Sequence, residues 1–569
     1  MRQVPDLIIR NGLIVDGSGD EPFAADVTIT GDRIVSVGKS AARCPQEIDA
    51  AGSLVTPGFV DIHTHYDGQA TWSDRLNPSS SHGVTTVVVG NCGVGFAPCR
   101  AQDRAALIDV MAGVEDIPEA VMAAGLPWNW ETFPQFLDAL EQRSWDVDVA
   151  VYLPHSPLRV YVMGQRGLDR EAATAADLAR MQMLTEEAMQ AGAVGFATSR
   201  TLVHRTGSGR FIPSFDAERT ELEAIAAAVG RGGHGVIQLV LNLGSPEYRQ
   251  EIELLIGLGQ ACARPITFSL AQSHENTEVW RETLARISAA NQRLGTSLVA
   301  QVLPRPLGLI SGLDTSVNTF SLCPSYAPLA SMTLAERVAA MRTPELRARL
   351  MAETPADPMS PLFRLLRSFE RMYPMGREPN YEPKNNVLKM AAERGVTAKA
   401  LAYDLLLEDQ GRALLYLPFA NYAHENLDAT LDMMRDPNTV LGLGDGGAHY
   451  GIICDSSYPT TLLCYWTRDR AGERLPLAHA VKALCADTAT LVGLTDRGRI
   501  APGMKADLNV IDYAGLRLHA PRVVSDLPGG GRRLVQDAEG YRATILSGRV
   551  VQTDGRPNGA RPGRLVRSR

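Results

Sequence analysis

Eight apolar segments, each ending in a polar or small residue, constrain this chain more than any other feature. The first ends at His65; the next three are Thr85 to Cys92, Val149 to His155 and Ala193 to Ser199. Gly235 to Asn242, Ile266 to Gln272, Ser297 to Pro304 and Thr439 to Asp445 complete the set. Stretches with helical periodicity, such as Arg170 to Gln190 and Ser245 to Gly259, separate them. Eight strand–helix units predict an α/β chain built on a (β/α)8 TIM-like barrel, whose chemistry gathers at the C-terminal strand ends. A rival count takes Leu414 to Phe419 as a barrel strand, which leaves the register of the last units open.

A chain of 569 residues exceeds one ordinary domain. Short strands at both ends supply the second. Asp6 to Arg10 and Leu13 to Asp16 flank Asn11-Gly12, and Asp26 to Thr30 and Arg33 to Val37 flank Gly31-Asp32; both read as hairpins. Asp507 to Asp512 alternates as a strand does, and Ala543 to Val551 forms a hairpin around Ser547-Gly548. Neither end alone can bury a core, so residues 1–56 and 494–569 are expected to build one small β-sandwich domain, with the barrel at 57–493 between them. Strands seven and eight lie too far apart for a loop, which places an inserted subdomain at about 309–410. Ala335 to Glu353 and Thr397 to Asp409 look helical there, and prolines break Pro355 to Pro383. The insertion serves either as a cover for the barrel mouth or as an element of a homo-oligomer.

The net charge of −8 and the lack of a long basic tract argue against a nucleic-acid or acidic-membrane partner. No segment has the length and apolarity of a membrane span, and the first residues do not read as a secretory signal. Eight cysteines without a regular spacing make no disulfide framework, so a cytoplasmic setting is expected.

In Gly58-Phe-Val-Asp-Ile-His-Thr-His65 two imidazoles lie two residues apart, hence on one face of a strand end. Cys92, between glycines in Gly90-Asn-Cys-Gly93, and Asp445, in Gly442-Leu-Gly-Asp-Gly-Gly447, end two further strands. Two imidazoles, a thiolate and a carboxylate form a chemically complete zinc set. Asp445 is the candidate proton acceptor, with His449 behind it. Arg305 after strand seven is placed to pair with a substrate carboxylate; Arg200 after strand four is its rival. Ser199 and Tyr161 are further candidates for the pocket wall.

These segments resemble the amidohydrolase superfamily and, within it, the N-acyl-D-amino-acid deacylase (D-aminoacylase) family. The resemblance runs nearly end to end. It covers Leu7 to Gly17, Pro57 to His65, Gly90 to Gly93, Val162-Met-Gly164, Gly195 to Ser199, Gly444-Asp-Gly446 and Arg497 to Asp507. It implies zinc-dependent hydrolysis of an N-acyl bond on a D-amino acid. The metal cysteine falls on Cys92, the first-strand histidines on His63 and His65, and the catalytic aspartate on Asp445. The family's histidines of strands five and six fall on Leu239 and Leu270, which cannot ligate zinc, and His274 is displaced by about one helical turn's worth of sequence. No lysine lies between Ala193 and Thr201 to bridge a second ion.

One zinc ion per subunit and a small amide substrate are therefore expected. Two alternatives stand beside a linear-amide hydrolase. One is a cyclic amidase of the hydantoinase/dihydropyrimidinase kind; the other is a catalytically degenerate scaffold kept for binding or assembly.

Overall fold

The computed structural model describes residues 4–355 and 361–568, so part of the proline-broken stretch expected at Pro355 to Pro383 lies outside the described residues. Eight parallel strands follow one another around one sheet. They are β1 (Phe59–Asp61), β2 (Val84–Val89), β3 (Asp148–Pro154) and β4 (Gly195–Ser199), then β5 (Val236–Val240), β6 (Ile266–Ser269), β7 (Leu298–Val302) and β8 (Thr439–Leu441). All eight expected strands are present. The ring closes just beyond the regular strands, where Thr64 and Gly446 form a parallel bridge. His65 N donates to Gly446 O at 2.7 Å and Asp445 N to His63 O at 3.2 Å. The closure thus joins the histidine pair to the aspartate.

Local chemistry explains these elements. Every residue of β2, Val-Thr-Thr-Val-Val-Val, is buried, as expected of a β-branched strand covered on both faces. The helix Ala175–Ala191 starts in a capping box of Thr174 and Asp177 and stops at Gly192, whose φ of 106° few other residues adopt.

Strands from both ends of the chain form one nine-stranded sheet. Leu508–Ile511 runs antiparallel to Leu54–Pro57, which joins the two halves. The hairpin expected at Asn11-Gly12 is absent. Leu7–Ile14 is one strand with a register shift between Ile9 and Gly12, and Asn11 has a φ of 55°. An Asn-Gly pair suits a bulge as readily as a turn, because both need a left-handed residue. The hairpins at Gly31-Asp32 and Ser547-Gly548 do form.

Leu414–Ala420 is a strand, but it pairs antiparallel with Leu307–Gly312 and Tyr373–Met375 outside the barrel. This small sheet and its helices enclose a separate apolar cluster that includes Phe320, Met341, Leu350 and Tyr403. Among the described residues no helix is long and apolar enough to cross a membrane.

Candidate metal centre

The two glycines beside Cys92 explain how that side chain reaches the barrel axis. A Cβ on Gly90 would lie 2.6 Å from Tyr152 O, and one on Gly93 2.7 Å from Thr198 Cα. Only glycine lets the turn sit this close to β3 and β4. Cys92 itself has a φ of 58°, a costly conformation for a side chain of this kind. Its amide donates to Gln238 Oε1 at 2.9 Å, and Asn91 ties the turn to Val88 O at 2.8 Å. Asp445 and His449 share the left-handed backbone, with φ of 48° and 50°. Strained backbone thus gathers where the candidate ligands meet.

The ligand atoms of His63, His65 and Cys92 lie within 4.8 Å of one another, and all three residues are buried. Cys92 Sγ is 3.3 Å from His63 Nε2 and 3.8 Å from His65 Nε2. Asp445 Oδ1 approaches the same two nitrogens at 3.4 and 3.7 Å. Two imidazole nitrogens, a sulfur and a carboxylate oxygen therefore face one small space.

The far side of each ring is held as well. His63 Nδ1 meets Gln301 Oε1 at 2.6 Å, so Nδ1 carries the proton and Nε2 keeps its lone pair. His65 Nδ1 and Glu115 Oε1 face each other at 3.3 Å, and neither has a hydrogen-bond partner. Burial lowers the pKa of His63, and burial together with His63 and His449 lowers that of His65, leaving both neutral as ligation requires. Burial, then Glu115 and Asp445, push the Cys92 thiol well up. Burial also raises Glu115, with Asp445 and Asp67 beside it. So much negative charge gathered in a dry site is costly unless a cation shares it. The donor set and its orienting partners fit a divalent metal ion. Replacing Gln301 with Leu is expected to weaken metal affinity about 10–100-fold, the usual cost of losing such a support. Competition with a chelator reads this, and an unchanged affinity would contradict it.

A cavity of about 510 Å³ opens from these residues, with His449 and His204 at its wall. His449 Nε2 stands 3.9 Å from Asp445 Oδ2 and 3.7 Å from Glu115 Oε2. Other expected residues lie elsewhere. Arg305 is fully buried, paired with Asp455 at 3.1 Å and set over the Tyr381 ring at 3.7 Å. Arg200 donates Nε to both oxygens of Glu251, at 3.1 and 3.0 Å. Neither lines the cavity, because a protein carboxylate already holds each guanidinium. Ser199 stands behind the wall, its hydroxyl 2.8 Å from His204 Nδ1. Tyr161 bonds Glu131 at 3.3 Å, away from the cavity.

Of the leucine pair, Leu270 lines the cavity and Leu239 does not. Gln238 points inward to Cys92, so by strand alternation Val240 shares that face and Leu239 points outward into the packed core. On β5 and β6 the residues at the cavity are Val240 and Ser269, with Leu270 beside them. None is a metal-ligating histidine. His274 is not at the wall either; its charged neighbours are Arg371, Glu275 and His424.

The sequence reading missed Glu115, Gln301, Gln238 and His204. Gln238 and Gln301 left a faint signal as polar residues inside apolar strands. Glu115 ends the helix Arg104–Glu115, where a carboxylate opposes the helix dipole and so has reason to be there for something else. His204 lies in a loop with no periodic pattern.

The Amidohydrolase family model matches residues 46–552. N-acyl-D-aspartate deacylase of Alcaligenes xylosoxydans xylosoxydans is 33% identical over 572 residues, covering 99% of this chain and 95% of that protein. An uncharacterized protein of Mycobacterium tuberculosis is 27% identical over 610 residues, covering 96% of this chain and 95% of that protein. Among solved structures, N-acyl-D-glutamate deacylase from Bordetella bronchiseptica, complexed with zinc and a phosphonate inhibitor, superposes with a TM-score of 0.65 at 23% identity over 100% of both chains. At that identity the likeness speaks for the fold alone. This chain belongs to the amidohydrolase family, in the branch of the N-acyl-D-amino-acid deacylases.

Proposed function

We propose that this protein is a metal-dependent hydrolase of linear amides, deacylating an N-acyl-D-amino acid or a related small N-acyl compound. The observation that carries the reading is the convergence of His63 Nε2, His65 Nε2, Cys92 Sγ and Asp445 Oδ1 at the floor of the cavity. These four residues would hold one zinc-class ion. When bound, such an ion polarises the amide carbonyl and lowers the pKa of water to about 7.

The chain's own residues do the rest. Asp445 accepts the proton of the attacking water at its carboxylate and returns it to the amide nitrogen as the C–N bond breaks. His449, 3.9 Å from Asp445 Oδ2, is placed to relay that proton towards the cavity. Gln301 and Glu115 keep the two imidazoles aimed. The apolar wall limits water around the scissile bond.

Two observations support one ion and a linear substrate. The strand-five and strand-six positions at the cavity, Val240 and Ser269, bring no histidine. Residues 193–201 contain no lysine to be carboxylated as a bridge between two ions, which weighs against the cyclic-amidase alternative. The wild-type protein, supplied with zinc, is expected to release amine from N-acyl compounds and to leave hydantoins and dihydrouracil intact. Turnover of the cyclic amides alone would overturn the linear-amide reading, and turnover of neither class would favour a degenerate scaffold.

A further inference from the structure

The cavity that opens from the metal-ligand residues lacks what an N-acyl amino acid would need at its carboxylate. Among the described residues, no lysine or arginine lines it. Away from the candidate ligands much of its wall is apolar: Leu202, Val203, Leu241, Leu243, Leu307 and Phe419 take part. Leu202 and Val203 are 45% and 78% exposed, so the mouth is apolar as well as the interior.

The two arginines whose sequence positions suit a substrate carboxylate are both committed. Arg200 shares its Nε–H between the two oxygens of Glu251, and Arg305 is fully buried between Asp455 and Tyr381. Each guanidinium is thus neutralised by a protein carboxylate, and its Nη1 is taken up by Ala217 O in Arg200 and by Ser457 Oγ in Arg305. Arg371 acts electrostatically on His274 and Glu275 near the rim, and it is not part of the wall. His204 does not replace these cations, since Ser199 occupies its Nδ1 and burial keeps the ring uncharged.

Charge at the floor points the same way. A divalent ion held here would have its charge balanced by Cys92, ionised on binding it, and by the Asp445 carboxylate, and Glu115 lies against His65. No positive excess remains to attract an anion. A carboxylate carried into this space would meet only neutral donors such as Thr201, Asn242 and Ser273 beside His449, with no guanidinium or ammonium to offset the water it loses.

We infer that the substrate is a neutral N-acyl compound, an N-acyl amine or N-acyl amino amide with an apolar amine portion and no free carboxylate beside the scissile bond. This rests on the linear-amide reading and, of the two substrates named there, selects the related small N-acyl compound over the N-acyl-D-amino acid itself. Water adds to the acyl carbon, the C–N bond breaks, and the products are a carboxylic acid and an amine with no ionised group of its own before protonation. The volume of about 510 Å³ suits a small organic ligand.

The test uses the zinc-supplemented full chain and three matched compounds: N-acetyl-D-leucine, N-acetyl-D-leucinamide and N-acetyl-3-methylbutylamine. kcat/KM is measured for each, and calorimetry gives their relative binding. The two neutral compounds should exceed the acid by at least about tenfold in both readouts, the scale of an ionised group left unpaired. Leu202→Arg should shift the preference towards the acid. An acid that equals or exceeds its carboxamide would overturn the inference while leaving the linear-amide reading intact. If none of the three is hydrolysed, the calorimetric ratio still decides what the cavity prefers.

Discussion

Asp445→Asn is expected to fold normally and lose turnover by a factor of about 10²–10⁴, the usual contribution of general acid–base catalysis. The carboxylate sits where two roles overlap. Oδ1 faces His63 Nε2 at 3.4 Å, as a ligand atom would, and Oδ2 turns towards His449 at 3.9 Å. Asparagine preserves the size and one oxygen, so the backbone bond from Asp445 N to His63 O can remain. What it removes is the ability to take up a proton. Metal content must be measured in the same sample, so that loss of the ion is told apart from loss of the base. A variant that retains both its metal and nearly full turnover would move the base to His449.

Asp148→Ala is expected to destabilise the protein by about 3–5 kcal/mol, the cost of leaving buried charge without its partner. Asp148 begins β3 at the opposite, N-terminal end of the barrel, where conserved chemistry usually serves stability. It accepts from Arg497 Nη1 at 2.7 Å, from Lys505 Nζ and from the backbone of Arg564 at 3.0 Å. Lys505 also reaches Asp507 at 3.1 Å, and all four side chains are buried. The cluster fastens the segment that returns from the barrel to the terminal sheet. Burial works to raise the Asp148 pKa, but Lys505 and Arg497 outweigh it and hold the carboxyl below its usual value. A depressed carboxyl stabilises the fold above the unfolded-state pKa, near 3.8, and that contribution is lost as pH falls through the lowered value. Urea denaturation at neutral pH checks the prediction; a midpoint close to wild type would show the cluster contributes little.

The barrel was legible because its signal is periodic. A strand such as Val84–Val89 is apolar throughout, and each strand end changes character within one or two residues. The pairing of both termini in one sheet followed from their short alternating strands. What failed was two-fold in cause. Asn11-Gly12 supplies left-handed backbone, which a bulge and a hairpin need equally, so sequence could not separate them. Leu414–Ala420 has a strand's composition, and only its antiparallel partners exclude it from the barrel.

At the site, the convergence of His63, His65, Cys92 and Asp445 was legible because each closely follows a barrel strand. The arginines were misjudged for a different reason. A guanidinium beside a strand end can serve a ligand or a protein carboxylate, and Glu251 and Asp455, distant in sequence, decide for the protein. Glu115 and Gln301 act through other residues at long sequence separation, a relation that one sequence does not display.

The most direct test of the central claim is the metal content of protein purified without added metal, measured for wild type, His63→Ala and Cys92→Ala. The account predicts about one equivalent of a zinc-class ion in the wild type and little in either variant, with folding confirmed by circular dichroism. A wild-type protein that binds no divalent ion, or a His63→Ala protein with undiminished metal, would contradict it.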